Sequence, residues 1–487
     1  MQKILNTDMP NIYILEWSNY DLKIIGPKNE KLEKKLVYVK KELVFNPKTY
    51  SRETRKSTVK IFNILSSING VVTYQTFQGL IDRVTSFLKK DKNNTIVLQD
   101  KRIPFPAPKL ERMFGFRFNQ REKTEELLKA NRSGLLQAPT RYGKSVIITN
   151  IINAFPGVKT VVSAPGVDLL PQLEETIRTY CKGRDVTGIY SGSKTQYMSD
   201  DITVCSMDSL HKLDKDSVKL LIVDEVQSSV SESRLHEFCQ FHNARLIGVS
   251  ATLSGRYSGN DLEIEGLFGP VLSQITFTEA VALGALCPID VKIVKVPFKP
   301  LGYKNRNTAY KHYLFQNPDF HKLVGDISNN IIPKEWQTLL FINNEQEARA
   351  LQPFVNNAEL AMDKLFTNKK DRASMFERLK NDEVKRCICS NIYSTGVTID
   401  NIRCVINCDG GGGSILSVQK PGRLAEIKPN KQAGYLIDFL LVPTSNEGST
   451  IDFMVANDCK ARIKVYQEKG YNVEYYDSIE DIKFREI

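Results

Sequence analysis

The run Ala138-Pro139-Thr140-Arg141-Tyr142-Gly143-Lys144-Ser145 constrains the fold of this chain more than any other stretch. It follows the apolar segment Gly134-Leu135-Leu136 and precedes Val146-Ile147-Ile148, so the pattern predicts a strand, a loop and a helix in succession. This is the layout of a phosphate-binding loop, with Ala138 in place of the usual first glycine. Backbone N–H groups in such a loop point at an anion, and the helix start adds positive potential.

The residue types in this loop suggest a role for several positions. Lys144 can reach the β- and γ-phosphates of a nucleotide, the Ser145 hydroxyl can ligate Mg²⁺, and Gly143 lets the backbone approach the phosphates closely. We expect the nucleotide site to be lined by the whole loop, that is by Pro139, Thr140, Arg141, Tyr142, Gly143, Lys144 and Ser145. A bare Gly-Lys-Ser also arises by chance, so a partner motif is required.

A partner motif follows about eighty residues downstream. The apolar run Leu220-Leu221-Ile222-Val223 predicts a buried parallel strand, and Asp224-Glu225-Val226-Gln227 follows it directly. Carboxylates at the carboxyl end of such a strand lie where open α/β sheets bind their ligands. Asp224 can hold Mg²⁺ through water, and Glu225 can polarise an attacking water. The alternative is an acidic pair on the surface at a strand end.

Composition bounds the class of protein. The 487 residues permit about three domains, and 41% hydrophobic with 25% charged residues is ordinary for a globular chain with large cores. No apolar run approaches the roughly 20 residues that span a bilayer, and the N-terminus lacks a signal-peptide core. These features predict an intracellular, cytoplasmic protein.

The nine cysteines are spread thinly, and an odd number argues against a disulfide framework. The pair Cys387 and Cys389 and the pair Cys404 and Cys408 make a zinc site conceivable, but the spacing is unusual and the chain has only five histidines. We therefore interpret the cysteines as buried, reduced thiols.

Positive charge is concentrated near the N-terminus. Residues 1–105 contain 19 Lys and Arg against 10 Asp and Glu, so they supply nine of the eleven net positive charges. The segment reads as a small α+β domain, with a second basic cluster at Lys48, Arg52, Arg55, Lys56 and Lys60 that we interpret as a loop. This asymmetry favours a nucleic-acid partner, the alternative being a basic surface that serves solubility alone.

After a proline-marked linker at 104–108, apolar strands alternate with helices up to Ser250-Ala251-Thr252, which predicts a parallel sheet with helices on both faces. Residues 276–300 read as a connector. A second α/β unit without its own phosphate loop follows, with strands at 338–342, 386–390, 404–407 and 435–438. The four glycines at 410–413 indicate either a functional loop or an ordinary flexible one.

This ordered set of motifs resembles a superfamily 2 helicase. The elements are Gln120, the loop at 138–145, Pro165 to Gln172, Ser206, Asp224 to Gln227, Ser250 to Thr252, Phe341, Ser390 to Gly396 and Gln419 to Arg423. The resemblance covers residues 113–440. It implies two tandem RecA-like parallel-sheet domains, with ATP and Mg²⁺ in the cleft and a nucleic-acid track across the top.

The resemblance assigns roles beyond the phosphate loop and the acidic motif. Gln120, Gly396 and Gln419 would bind the nucleotide, and Gln227 and Thr252 would sense the γ-phosphate and couple it to the track. Backbone phosphates would be held by Ser206, Ser390 and Thr395, and the wider set of expected nucleic-acid contacts adds Pro165, Gln172, Gly192 and Phe341.

A second resemblance, to a narrower group but with a weaker match, is to phage UvsW-type branch-migration helicases. It is carried by Leu267-Phe268-Gly269-Pro270, Glu279 to Gly284, Ala461 to Tyr466 and the basic N-terminal segment. It implies branched DNA substrates such as forks and four-way junctions, roles in recombination and repair, and the cytoplasm of a phage-infected bacterium. We expect a monomer with domains at 1–105, 106–288 and 289–445 and a C-terminal extension at 446–487 that packs on the second RecA-like domain.

Two positions depart from the family pattern. The last motif ends in Glu426 where the family has an arginine that meets the γ-phosphate, which leaves Arg423 as the candidate finger, and Arg141 stands at a loop glycine. We therefore predict an ATP-dependent DNA helicase or translocase in which Lys144, Asp224, Glu225, Gln227, Thr252 and Arg423 carry the chemistry. The alternatives are an RNA helicase, a duplex translocase, and an ATP-gated clamp that hydrolyses poorly because Glu426 replaces the finger.

Overall fold

A computed structural model describes residues 11–46, 51–166, 169–191, 193, 197–253, 261–362, 366, 369–390, 401–410, 421–429 and 431–485. The chain divides into two units. The first comprises residues 1–138 and 143–275, and the second comprises residues 139–142 and 276–487. Among the described residues, no helix has both the length and the apolar character needed to cross a bilayer.

The first unit begins with a small α+β region built on a mixed five-stranded sheet of order β5-β6-β2-β1-β7. The strands of this region are β1 (Asn11–Trp17), β2 (Asp21–Pro27), β3 (Val37–Asn46), β4 (Ser51–Lys60), β5 (Phe62–Ile68), β6 (Val71–Phe77) and β7 (Asn94–Asp100). Strands β3 and β4 form a separate two-stranded sheet. The helices of this region are α1 (Glu30–Lys35) and α2 (Ile81–Leu88). Alternate residues of β1 and β2 face a core with Leu15, Leu22 and Ile24.

The hairpin of β3 and β4 corrects the interpretation of the second basic cluster as a loop. Its ten-residue strands pair antiparallel from Val37 opposite Lys60 to Asn46 opposite Ser51. Because the segment has no apolar alternation, sequence periodicity gave no sign of a strand, and backbone pairing holds it instead.

The basic region is docked on the rest of the first unit. Gln78 Nε2 donates to the Leu267 carbonyl at 2.8 Å, and Arg83 forms a two-bond ion pair with Glu265. A Cβ added to Gly79 would lie 2.1 Å from the Glu265 carbonyl oxygen, so only glycine permits this approach. The contact makes the basic region part of the body that carries the phosphate loop.

The remainder of the first unit is a seven-stranded parallel sheet of order β10-β11-β9-β12-β13-β8-β14. Its strands are β8 (Gly134–Gln137), β9 (Thr160–Ala164), β10 (Val186–Ile189), β11 (Ile202–Ser206), β12 (Leu220–Asp224), β13 (Arg245–Ser250) and β14 (Val271–Gln274). Its helices are α3 (Gln120–Lys129), α4 (Lys144–Ala154), α5 (Leu170–Tyr180), α6 (Glu232–Phe238) and α7 (Asp261–Phe268). The central strands are buried on both faces, which explains their continuous apolar runs.

The second unit is a further seven-stranded parallel sheet, of order β17-β18-β16-β19-β20-β15-β21. Its strands are β15 (Ile289–Phe298), β16 (Gln337–Phe341), β17 (Ala358–Ala361), β18 (Arg386–Cys389), β19 (Ile402–Asn407), β20 (Gly434–Pro443) and β21 (Asn472–Tyr476). Its helices are α8 (Phe277–Ala282), α9 (Arg306–Tyr310), α10 (Pro318–Asp326), α11 (Glu345–Leu351), α12 (Lys369–Lys380) and α13 (Thr450–Glu468).

Two parallel sheets with flanking helices, preceded by a mixed α+β region, confirm the predicted fold class. The connector expected at 276–300 is wrong in part, because β15 lies inside it and pairs with both β20 and β21. The nine cysteines are free, and all but Cys239 are buried. They serve as small apolar core side chains.

Candidate functional site

The phosphate loop joins β8 to α4, as the sequence predicts. Gly143 precedes α4 with φ 92°, a left-handed conformation that glycine adopts without strain. A Cβ at this position would lie 2.5 Å from Nε2 of Gln120, so the glycine also makes room for that amide. Gln120 is buried at the first turn of α3 and accepts a hydrogen bond from the Arg117 N–H. The structure thus brings Gln120 against the loop, although 18 residues of chain separate it from Ala138.

Lys144 and the acidic motif lie together at the carboxyl edge of the first parallel sheet. Lys144 Nζ is 3.5 Å from Oε1 of Glu225, and the lysine is buried. Glu225 has φ 48°, a left-handed conformation that costs energy for a residue with a side chain. Its N–H donates to Oδ1 of the preceding Asp224 at 2.9 Å.

The surroundings of Asp224 disfavour its charged form. Burial and, second, the neighbouring Glu225 carboxylate raise the pKa of Asp224 to about 6, and Lys144 opposes the shift. An excess of negative charge therefore remains at this edge, and Ser145 follows Lys144 in the first turn of α4. Carboxylate and hydroxyl oxygens are hard donors that suit Mg²⁺, so these residues fit the cation that the sequence predicts.

A hydrogen-bonded chain leads from Glu225 to the neighbouring strand. Gln227 Nε2 donates to Glu225 Oε2 at 2.6 Å, and Ser250 Oγ donates to Gln227 Oε1 at 2.5 Å. The Thr252 N–H donates to Ser250 Oγ at 2.9 Å. Gln227 and Thr252 are thus brought to the carboxylate as predicted, and Ser250 is the link that the sequence argument left without a role. The signal for it was present in the Ser-Ala-Thr tripeptide, of which only the threonine was assigned.

The predicted nucleic-acid contacts of the first unit are spread along the same sheet edge. Ser206 ends β11, is buried, and donates from its hydroxyl to Ser209 Oγ at 2.8 Å. Pro165 follows β9 and is half-buried, whereas Gln172 is exposed on α5. Gly192 lies outside the described residues.

In the second unit, Phe341 ends β16 with a fully buried ring in the core. A base cannot stack on this ring, because Phe341 is fully buried. Ser390 follows β18 and is half-buried. The predicted residues Thr395, Gly396 and Gln419 lie outside the described residues.

The candidate finger lies in a short 3₁₀ turn, Arg423–Ala425, which also belongs to the second unit. Arg423 is buried. Glu426 directly follows this turn, and its Oε2 is 3.3 Å from Nη1 of Arg141, while Lys428 Nζ is 3.7 Å from its Oε1. The two positions that depart from the family pattern therefore form an ion pair with each other. Their opposite charges were the sequence signal for this contact, which the separate treatment of the two motifs missed.

Close packing surrounds this turn. A Cβ on Gly422 would lie 2.8 Å from Cβ of Thr140, and Lys431 Nζ donates to the carbonyls of Leu424 and Ile402. Burial lowers the pKa of Lys431 to about 8. Residues 139–142 are held in the second unit by these neighbours, so the middle of the phosphate loop and the last motif share one environment.

Comparison with known protein families identifies the class. Residues 113–255 match the family described as "Type III restriction enzyme, res subunit", and residues 325–428 match "Helicase conserved C-terminal domain". These two matches, in this order, support the class of superfamily 2 helicases. The predicted resemblance to superfamily 2 helicases is confirmed.

Two curated relatives are similar over about three fifths of this chain. A protein of Sulfolobus islandicus filamentous virus (isolate Iceland/Hveragerdi), named as helicase 22, is 24% identical over 340 residues, which are 63% of this chain and 60% of that protein. A Saccharomyces cerevisiae protein named as ATP-dependent helicase IRC3 is 22% identical over 330 residues, which are 61% of this chain and 47% of that protein. The chain thus spans about half to three fifths of the length of these relatives.

Solved structures of restriction enzymes share the fold. A fragment of an HsdR subunit of a type I restriction enzyme from Vibrio vulnificus YJ016 has a TM-score of 0.56 at 15% identity, covering 92% of this chain and 82% of that one. The Type ISP restriction-modification enzyme LlaBIII bound to DNA has a TM-score of 0.53 at 15% identity, covering 82% and 34%. T4 UvsW has a TM-score of 0.40 at 13% identity, covering 96% and 99%.

Proposed function

We propose that this chain is an ATP-dependent DNA helicase or translocase that acts on branched DNA, such as forks and four-way junctions, in recombination or repair. The observation that carries the ATP-driven part is the unbroken chain of contacts from Lys144 through Glu225, Gln227 and Ser250 to Thr252. It connects a residue of the phosphate loop to the end of the adjacent strand β13, and this is the arrangement that a nucleotide-driven motor requires.

Each residue of the candidate site performs one task in the proposed reaction. Lys144 and the loop N–H groups hold the β- and γ-phosphates, and Glu225 orients the attacking water and accepts its proton. When Mg²⁺ is bound by Asp224 and Ser145, it supplies charge neutralisation to the phosphate oxygens. Gln227 and Thr252 couple a change at Glu225 to the carboxyl end of β13. Arg423 serves as the arginine finger that stabilises the charge on the γ-phosphoryl group.

The basic N-terminal region supports branched DNA as the substrate. Lys41 and Lys56 lie directly opposite each other in the β3–β4 hairpin, and both are exposed. Exposed lysines side by side on a hairpin can contact a phosphate backbone. Because the region is docked on the phosphate-loop body through Gly79 and Arg83, nucleotide-driven motion of that body would carry the hairpin with it.

The rival function is a nucleic-acid clamp that closes on ATP and hydrolyses it poorly. Glu426 favours it, because a carboxylate stands where the family places the finger, and Arg141 and Lys428 engage that carboxylate. The balance still favours the motor, since Arg423 lies three residues away and can supply the missing guanidinium.

The test is ATP hydrolysis and strand separation on a matched panel of fork, four-way junction, flap, linear duplex and RNA substrates. We expect junction and fork DNA to stimulate hydrolysis most and to be unwound. RNA as the best stimulator would replace the DNA assignment, and tight ATP-dependent binding with little phosphate release on any substrate would establish the clamp.

The role of the hairpin is tested by reversing the charge of its two facing lysines. The variant Lys41→Glu/Lys56→Glu should weaken junction binding and reduce its salt dependence, while ATP hydrolysis without DNA stays at the parent value. Lys89→Glu/Lys92→Glu is the matched control, because both lysines are exposed in the same region but follow α2 instead. Equal junction affinity in the two double variants would remove the hairpin from the DNA contact.

A further inference from the structure

A second polar cavity lies inside the first unit, away from the phosphate loop. It has a volume of about 350 Å³ and is formed where the end of β7, the segment that follows it, residues 131–133 and the start of β13 meet. A volume of this size is in the range of small-molecule sites. Three guanidinium groups line it, those of Arg102, Arg132 and Arg245.

The cavity lies at the opposite end of β13 from the ATP machinery. Arg245 is the first residue of this strand and Ser250 is the last. Five residue steps of extended chain separate them by about 17 Å. The ATP machinery described above therefore does not account for the arginines.

Two of the three arginines have carboxylate partners. Arg102 forms hydrogen bonds of 2.9 and 2.6 Å with Asp100, and Arg132 forms hydrogen bonds of 3.0 and 2.7 Å with Asp82. Within the part of the chain that the structure describes, Arg245 has no carboxylate within 4 Å. Three guanidinium groups and two carboxylates leave one positive charge in excess.

Arg245 is the buried source of this excess charge. Its Nε donates to the Arg132 carbonyl at 2.9 Å and its Nη2 to the Leu127 carbonyl at 3.4 Å. Its Nη1 is buried without a hydrogen-bond partner among the described residues, and the side chain is only 4% exposed. Burial and, second, the charge of Arg102 lower the pKa of Arg245 to about 10, so it remains a cation at pH 7. The rings of Phe105 and Phe155, whose centroids lie 5.5 and 5.8 Å from its guanidinium carbon, offset part of the cost of burying a cation without a counter-ion. An oxyanion in the cavity offsets the rest.

We propose that this cavity is a binding site for a phosphoryl group, held by the guanidinium groups of Arg245, Arg102 and Arg132. Planar guanidinium groups match phosphate oxygens geometrically, and the Asn131 and Ser133 side chains at the rim offer further donors. The phosphoryl group comes either from a small free phosphate compound or from a nucleic-acid backbone that crosses the junction of the N-terminal region and the first parallel sheet.

The test adds one negative charge at the rim without touching Arg245. Asn131 lines the cavity, is exposed and has φ 46°, a conformation that aspartate also tolerates. Asn131→Asp therefore introduces a carboxylate with little strain. Asn69→Asp is the matched control, since Asn69 is exposed with φ 51° in the turn between β5 and β6, outside the cavity lining.

Both variants are made in the full chain with Lys144→Ala, which suppresses phosphate binding at the phosphate loop. Equilibrium dialysis measures labelled pyrophosphate, and a salt titration measures binding of a linear duplex. We expect Asn131→Asp to bind pyrophosphate at least tenfold more weakly than Asn69→Asp if the ligand is a free phosphate compound. If the ligand is a DNA backbone, Asn131→Asp should instead lower the salt slope by about 0.9, the value for one phosphate contact. Equal behaviour of the two variants with both probes would overturn the proposal.

Discussion

Each of the two parallel sheets of this protein contains an ionised aspartate. The surroundings shift the pKa values of these two aspartates in opposite directions. In the first sheet, burial and Glu225 raise the pKa of Asp224. In the second, Asp438 is completely buried, yet the Arg462 guanidinium holds its pKa below the ordinary value. Asp438 accepts two hydrogen bonds from Arg462, one from Tyr466 and one from Asn407.

This difference separates a site that receives ligands from one that holds the fold together. The charge of Asp438 is satisfied by its own chain, and its partners Arg462 and Tyr466 come from α13, which is thereby fixed to β20. The charge of Asp224 is only partly compensated by its own chain, as is expected of a site that binds a cation. Of these two aspartates, Asp224 is therefore the one whose charge remains for a ligand.

The largest effect is expected when Asp438 loses its main hydrogen-bond partner. Arg462→Met leaves Asp438 as a buried charge without its main partner, so the free energy of unfolding should fall by about 3–5 kcal/mol. Lys464→Met is the control, because Lys464 is exposed on the same helix. Denaturant unfolding measures both. A loss no greater than that of the control would show that the Asp438 network does not hold α13 to the sheet.

Arg423→Ala tests how the second unit enters the reaction. If Arg423 is the finger, single-turnover hydrolysis with saturating DNA should fall by about 10³ with little change in ATP affinity. Arg349→Ala, on the exposed face of α11, is the control and should hydrolyse like the parent. Parent-like hydrolysis by Arg423→Ala would place the finger elsewhere or favour the clamp.

Asp224→Asn examines the uncompensated aspartate directly. Turnover should fall by at least about 10², because a Mg²⁺ ligand is lost and metal charge stabilisation is worth several kcal/mol. Without nucleotide or metal, the free energy of unfolding should stay the same or rise, since a carboxylate beside Glu225 is removed. The matching Asp438→Asn should instead reduce stability. A clear loss of stability in Asp224→Asn would mean that both aspartates are structural.

The smallest effect concerns the Arg141–Glu426 pair. Glu426→Arg places like charges beside Arg141 and Lys428, so we expect a several-fold loss of DNA-stimulated turnover. Arg141→Glu/Glu426→Arg restores opposite charges and should recover part of that loss, as a double-mutant cycle would measure. Independent, additive effects of the two substitutions would show that the contact does not position the loop.

The sequence predicts both parallel sheets because their central strands, such as β12 and β16, are continuous apolar runs between helix patterns. It fails at β4, whose residues from Ser51 to Lys60 are mostly polar, so that only pairing with β3 makes them a strand. Lys144, Asp224 and Glu225 could be found because local motifs specify them. The Arg141–Glu426 pair and the Arg245 cavity join residues more than a hundred positions apart, and no local pattern encodes such contacts.

The measurement that tests the central claim most directly compares Glu225→Gln with the parent at saturating junction DNA. Glutamine preserves the size of the side chain and can still accept a hydrogen bond from Gln227, but it cannot accept the proton of the attacking water. Glu232→Gln, exposed in the first turn of α6, is the control. Our account predicts unchanged ATP binding and a fall of about 10² or more in the single-turnover hydrolysis rate. Hydrolysis by Glu225→Gln at the parent rate would contradict it.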